Sequence, residues 1–516
     1  MMICLFSSCN GGDSSSESPD SSANDYSELL EGYEKSCSVT EFADDDMANV
    51  NIKATFDVSE CTADAKMIIT PYPMFGNGMC LQRDAVNKIW GYIAGTEECE
   101  HIAVSFRGKV YYGTVKNSEW EVYLPKMTAG GPFEMTLICD LGRRTLTDVY
   151  VGEVYLLSGQ SNMEWKTGWS ENVLSDLYSD KDECKNDRIR MVSLSVNYQD
   201  EPSKTFAANP KWLGANVSSI KNFSAVGYIF GKEMERKLDC PVGLVCNAVG
   251  GSLIEFWMDK KTLSDYEENC KTVYNPSLPT LTPNKGFNGL IYPLEGLNFR
   301  GVCWYQGCSN TNGTQRYYNK ALRTLIASWR KFFNNNNLTF SVAELARYSA
   351  DPAAYSVINE RIGMVAAKDP LVCKAINLDK GEWNDIHPKD KHAIGTRLAS
   401  ETLRNFYGKD ENAAPEVLSY EIVSDKEVKL VMSENVVLKN GSNGFEVFTA
   451  SGYSFDCSVT VDKNIITVTS QHAFSGVRYG YVFEITDEIK ADVSKTVTIF
   501  DEQGLPCDLF VVNFES

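Results

Sequence analysis

VYVGEVYLLSGQSNM, residues 149–163, decides the architecture. Its first part, VYVGEVYLL, is a nearly continuous apolar run. Such a run is what a strand needs when both faces of its sheet are covered, as in a parallel sheet flanked by helices. The abrupt change to SGQSNM marks the carboxyl end of that strand. VGLVCNAV (242–249), GVCWYQ (301–306) and CKAINLD (373–379) have the same character. Helical spacing fills the intervals. SAVGYIFGKEMERKL (224–238) sets Ala225, Ile229 and Phe230 on one face, and YYNKALRTLIASWRKFF (317–333) does so with Leu322, Leu325, Ile326 and Trp329. Strand–helix alternation predicts an α/β region with a doubly wound parallel sheet. Ligands of such sheets bind beyond the carboxyl ends of the strands.

Outward from this region the pattern changes on both sides. HIAVSFRG, KVYYGTV, EWEVYLP and FEMTLICD alternate apolar and polar residues between turn signals, which predicts a small jelly-roll-like β-sandwich over 60–148. The α/β region then occupies 149–408. β-type runs return as KEVKLVM, GFEVFTA, NIITVTS, YVFEITD and TVTIFD, giving a second β domain over 409–516. A chain of 516 residues needs this division, since single cores stop growing near ~250–300 residues.

Residues 1–59 read differently. MMICLFSSCNGG is a short apolar stretch meeting small residues at Cys9, followed by a Ser/Asp-rich tract too polar to fold by itself. This resembles the end of a lipoprotein signal with Cys9 as the lipidated residue, although no Lys or Arg precedes it. The expectation is an exported, periplasmic or cell-surface protein on a flexible tether. No apolar run of about 18 residues occurs, so no transmembrane helix is expected. The net charge of −20 disfavours nucleic acid, whose binding requires cations on phosphates. The 16 cysteines include no C-x-x-C pair, and they leave the redox compartment open.

The chemistry is sought after the strands. SGQSNM (158–163), NAVGGS (247–252), WYQGCSN (304–310) and NDIHP (384–388) are polar or glycine-rich and sit where a site belongs. Histidine is the commonest general base near neutral pH. Only four exist, and His387 and His392 alone fall in the α/β region. Asp385 lies two residues before His387, and Pro388 biases the histidine toward extended geometry, where positions i and i+2 face the same way. Ser161, His387 and Asp385 thus form a candidate nucleophile, base and orienting acid. His392 falls inside a helix expected to begin near Pro388 and end near Gly408, as a surface or packing residue. Taken singly, a D-x-H in a loop is more often a turn, and paired glycines more often serve packing.

Four motifs in order carry the assignment further. SGQSNMEW, GGSLIEFW, WYQGCSN and DIHPKDKHAIGTRLA resemble the sialate O-acetylesterase family of the SGNH hydrolase superfamily. GNGMCLQRDAVNKIWGYIAG and MTAGGPFEMTL are similar to that family's segment before the nucleophile, and VRYGY and GLPCDLFVV to its closing β domain, so the resemblance spans roughly residues 70 to 516. It implies a serine esterase that removes O-acetyl groups from sialic acid or related sugars, with no metal or cofactor. It implies Ser161 as nucleophile, His387 as base and Asp385 as orienting acid. The oxyanion donors it implies are Ser161, Gly250 and Gly251, with Gln306 as the best-matched side chain and Asn310 as the other candidate. Glu255 is implied as a structural acid. The family commonly has Glu where this chain has Cys308. That cysteine is expected to modify the site by removing a charge, or to fill space or pair with Cys303.

No G-x-S-x-G elbow, H-E-x-x-H, P-loop or dinucleotide fingerprint is present. Two rivals remain: an esterase of acetylated xylan or another plant glycan, and a non-catalytic carbohydrate-binding protein.

Overall fold

The polar segment after residue 158 is aimed by the strand that precedes it, and this strand is longer than its apolar part. In the computed structural model, residues 56–94, 99–169, 184–267, 280, 282–311, 313–349, 352–481 and 486–514 are described. Cys9 lies outside them.

Strands β1 (Cys80–Gln82), β2 (Gly130–Cys139) and β3 (Gly142–Gly159) come first in the argument. The amino-terminal half of β3 pairs antiparallel with β2, from Cys139 opposite Gly142 to Gly130 opposite Val151. β1 runs parallel beside Tyr150–Gly152. The carboxyl half of β3 continues unbroken into a parallel sheet. A boundary at residue 149 therefore falls inside one strand, which runs on although Asp148 has φ +55°. A second antiparallel sheet, ordered Ile69–Pro71, Asn87–Ile93, Glu119–Leu124 and Thr114–Lys116, completes the amino-terminal β region.

The parallel sheet is built from β4 (Asn186–Ser193), β5 (Leu213–Ala215), β6 (Val242–Ala248), β7 (Gly301–Tyr305), β8 (Thr339–Ala343) and β9 (Val372–Ala375) around β3. Its order is β5-β4-β6-β3-β7-β8-β9. All pairs are parallel except β5 against β4. Every residue of β6, β7 and β8 is buried, which explains their unalternating apolar sequences. The chain enters at the centre, passes out to β4 and the edge strand β5, returns to fill the place between β4 and β3 with β6, then crosses to build the other side through β7, β8 and β9. The switch point lies beside β3.

Helices cover the sheet: α1 (Ala225–Leu238), α2 (Tyr318–Phe332), α3 (Pro352–Ala366) and α4 (Lys391–Tyr407). The predicted stripes of α1 and α2 are buried. Helix α4 starts three residues later than Pro388. Asp390 is its N-cap, accepting from the Ala393 N–H, and Gly408 closes it in the left-handed conformation that glycine tolerates.

The carboxyl-terminal region contains two four-stranded antiparallel sheets and a two-stranded one, over their own apolar core from Ile376 to Val512. The expected strand YVFEITD falls mostly on residues 482–485, which lie outside the described set. Strand Phe474–Tyr479 precedes it, and Thr486 after it caps a short helix, Asp487–Ala491, by accepting from the Ile489 N–H.

Buried charges tie the regions together. Glu153, near the middle of β3, accepts from Gln82 Nε2 at 2.9 Å and Arg83 Nε at 2.7 Å. Arg347 donates to the Gly480 carbonyl at 2.7 Å, and Lys374 bridges Glu344 and Asp508. Removing one partner of a buried pair typically costs about 3–5 kcal/mol.

At the end of β3, Gly159 has φ +131°, and a Cβ there would lie 2.3 Å from the Tyr305 carbonyl oxygen. Gly159→Ala combines backbone strain with a backbone clash. It is expected to destabilise the protein by about 2–4 kcal/mol, read as a lowered Tm in thermal denaturation. An unchanged Tm would contradict this account of the strand end.

Candidate active site

Three strand ends stop at one level. Gly159 is opposite Ala248 of β6 and Tyr305 of β7. The segments that follow, 160–165, 249–252 and 306–310, therefore emerge side by side. Gln160 is extended and buried. Its N–H donates to the Tyr305 carbonyl, and its side-chain oxygen accepts from the Gly307 N–H at 3.0 Å. This locks the first segment to the third. Ser161 then opens a four-residue helical turn, Ser161–Glu164. Its backbone N–H has no acceptor within that turn.

The structure brings Ser161, His387 and Asp385 together. Ser161 Oγ lies 3.0 Å from His387 Nε2, across 226 residues of sequence. Asp385 Oδ1 accepts from the His387 backbone N–H at 2.9 Å and lies 3.2 Å from Nδ1. Nδ1 protonated toward the carboxylate leaves Nε2 free to accept from the serine, the tautomer a general base requires. Burial first, and the Lys391 charge second, hold the His387 pKa below its ordinary value, against the pull of Asp385. The base is therefore neutral at neutral pH. The Trp165 ring packs against it, with centroids 4.3 Å apart. His392 is exposed on α4, as a surface residue.

Gly250 and Gly251 also reach the site. A Cβ on Gly250 would lie 3.5 Å from Ser161 Cβ, and Gly251 has φ +71°, a conformation glycine adopts without strain. The Gly250 N–H, however, is occupied: it donates to Glu164 Oε2 at 2.7 Å. A carboxylate thus sits on one of the expected oxyanion donors.

Gln306 requires a correction. Both of its amide protons are used, one on the Ser252 carbonyl at 3.0 Å and one on Asn310 Oδ1 at 2.8 Å, while its oxygen accepts from Tyr318 Oη at 2.8 Å. Fully buried, it is scaffold and has no donor to offer an oxyanion. Asn310 is buried beside it. It accepts from the Ile254 N–H and donates one amide proton to Glu255 Oε2 at 3.0 Å, which leaves one proton uncommitted. Glu255 is a buried acid that anchors this chain of bonds.

Cys308 is buried, its thiol pushed up to about 11 by burial, with Tyr355, Lys391 and Asn162 near enough to oppose that shift. It is a free thiol, as is Cys303, so the expected alternative of a Cys303–Cys308 disulfide is not realised. Sequence reasoning quoted Asn162, Glu164, Trp165 and Lys391 inside its motifs but assigned none of them. No alternation or spacing rule marks a side chain whose role depends on a loop far away in sequence.

Comparisons with known proteins agree on one class. Residues 151–404 match the model of the family described as carbohydrate esterase, sialic acid-specific acetylesterase. The sialate O-acetylesterase of Mus musculus is 26% identical over 451 residues, covering 75% of this chain and 82% of the mouse protein. The Homo sapiens sialate O-acetylesterase is 28% identical over 364 residues, covering 62% and 68%. The crystal structure of a carbohydrate acetylesterase from Xanthomonas citri superposes with a TM-score of 0.75 at 25% identity, covering 86% of this chain and 99% of that one.

Gln306→Leu keeps the volume but strands the Ser252 carbonyl and takes one partner each from Asn310 Oδ1 and Tyr318 Oη. A buried polar group left unpaired costs about 1–3 kcal/mol. The variant should therefore be destabilised by at least that amount in denaturant titration. A variant as stable as the parent would sink the scaffold assignment.

Proposed function

Residues 151–404 belong to the carbohydrate esterase family of sialic acid-specific acetylesterases, and from that premise we propose that Ser161, His387 and Asp385 hydrolyse O-acetyl esters of sialic acid or a related acetylated sugar. The chain is a carboxylic ester hydrolase. The observation that carries the assignment of roles is the 3.0 Å approach of Ser161 Oγ to His387 Nε2. The α/β region, 149–408 in this proposal, is of SGNH type, with the nucleophile after the central strand.

In the proposed reaction His387 takes the Ser161 proton as the serine oxygen attacks the acetyl carbonyl. The tetrahedral oxyanion is met by the backbone N–H groups of Ser161, Gly250 and Gly251 and by the uncommitted amide proton of Asn310. Donors aimed at developing charge are worth roughly 3–4 kcal/mol each. Collapse breaks the bond to the sugar oxygen, which leaves with the proton from His387. Water, deprotonated by the same imidazole, then cleaves the acetyl-serine and releases acetate. Asp385 orients the ring and favours its charged form. Glu164 must leave the Gly250 N–H before the oxyanion can use it, and the vacated carboxylate can accept a hydroxyl of the sugar.

The Xanthomonas citri neighbour is named for carbohydrate generally, and it covers more of this chain than the mammalian relatives do. This favours keeping an acetylated plant glycan as the second substrate class. Initial rates on O-acetylated sialic acid beside acetylated xylan decide between them. Turnover of neither, nor of a chromogenic acetyl ester, would leave only a carbohydrate-binding role.

Ser161→Ala and His387→Ala should each lower kcat/KM by roughly a thousandfold or more, Asp385→Ala by less because its carboxylate is exposed, and His392→Ala hardly at all. With the base held below its ordinary value of 6.5, the acid limb of kcat/KM should have its midpoint below pH 6.5. An acid limb above pH 7 would contradict the assignment of His387. Glu164→Ala should bind an alkyl boronic acid, whose boron accepts the serine oxygen, about tenfold more tightly, the worth of one competing charge-assisted hydrogen bond. Unchanged affinity would mean that the carboxylate does not compete for Gly250.

A further inference from the structure

Lys391 is the first residue of α4 and is 1% exposed. Among the described residues it forms no ion pair with a carboxylate. Its Nζ donates to Asn162 Oδ1 and lies 5.6 Å from the centre of the Trp165 ring. Each contact leads to the site. Asn162 follows Ser161, and its Nδ2 donates to the Ile386 carbonyl, one residue before His387, at 3.1 Å. Trp165 packs on the His387 ring. Thus the amide of Asn162 clamps the nucleophile turn to the base loop, and Lys391 fixes the orientation of that amide.

We propose that Lys391 is a positioning residue of this hydrolase, a buried ammonium that locks the Ser161 turn to the His387 loop through Asn162 and sets the electrostatic environment of the base. The proposal rests on the assignment of His387 as that base. It gives Cys308 a specific meaning, since a neutral thiol beside Lys391 leaves the ammonium charge uncompensated where an acid would offset it.

The groups around this pair come from every packed segment. Cys308 and Asp385 face Lys391; the Asp385 charge opposes the burial that pushes its ammonium down to about 7, whereas the neutral thiol offers no charge there. Asp385 and Lys391 face His387 with opposite effects. Tyr355, on α3, faces the Cys308 thiol. Asp390, next to Lys391 in sequence, is turned away to Lys380 at 2.8 Å. Below pH 7, where the imidazole titrates, Lys391 carries its proton and opposes a second positive charge on His387. Losing the lysine charge, or offsetting it, therefore raises the His387 pKa.

The test is the His387 titration, read by NMR in the full chain; with only four histidines its signal can be assigned from the His387→Gln variant. Lys391→Met removes brace and charge. Cys308→Glu keeps the lysine and offsets the charge. Both should move the His387 midpoint upward by about half a unit or more, and the acid limb of kcat/KM should move with it. Cys308→Ala should leave the midpoint in place, because the thiol is neutral throughout this range. Unmoved midpoints in both charge variants, or an equal shift in Cys308→Ala, overturn the proposal. The NMR readout does not depend on turnover. A Ser161→Ala protein that kept full esterase activity would defeat the proposed mechanism and leave the Lys391 result to be judged separately.

Discussion

Everything in the site depends on the register of three parallel strands. Gly159, Ala248 and Tyr305 end at one level because Val242 pairs with Glu153 and Gly301 with Tyr155. A slip of one residue would turn the alternate set of side chains to each face of the sheet. The register is held by groups that have no alternative partner. Gly152 leaves room where a Cβ would lie 1.9 Å from the Pro241 carbonyl oxygen, and among the described residues Glu153 is bonded through its side chain by Gln82 and Arg83. The amino-terminal β region is thus part of what aims the nucleophile. Its strand β1 grips the middle of β3, and its residues share one apolar core with the α/β sheet.

Behind the strand ends lies a buried polar chain: Tyr318 to Gln306, Gln306 to Asn310, Asn310 to Glu255. Such a network is favourable only when each member is satisfied, because an unpaired polar group in low dielectric is costly. Here its satisfaction fixes three loops at once. Ser252, Ile254 and Asn310 are bonded into it, and Gln160 bonds across to Gly307. The loops proposed to hold the oxyanion are therefore tied together by buried bonds, the condition under which fixed dipoles stabilise developing charge.

Much of this was legible in the sequence, for identifiable reasons. Fully buried strands need unbroken apolar runs, so β3, β6 and β7 announced themselves, and their polar ends located the site. The scarcity of histidine narrowed the base to two residues, and the proline after His387 separated it from the helical His392. What was not legible depends on distance in space. The run 142–159 is one strand, yet the change from alternating to continuous apolar sequence at Val149 suggested a boundary there. Gln306 matched a donor position in the resembling family, but the use of its amide protons is decided by Ser252 and Asn310, 54 and 4 residues away.

The nucleophile turn shows how much function so short a segment can hold. Ser161 meets the base, Asn162 meets both Lys391 and the loop before the base, Glu164 takes the Gly250 N–H, and Trp165 packs on the imidazole. A helical turn spreads consecutive side chains around its axis, so each of these residues reaches a different wall of the site. The turn thereby carries two opposite charges into its surroundings: Glu164 at a donor where negative charge must develop, and Lys391, through Asn162, beside the base that must become positive. Both oppose the charge distribution of the transition state when they stay as they are. The carboxylate can leave, because it sits at a half-buried position on a side chain with free torsions. The ammonium cannot, because it is enclosed and bonded. Entry of substrate therefore relieves the first conflict, whereas the second persists wherever Lys391 carries its proton, below about pH 7, and there lowers the basicity of His387.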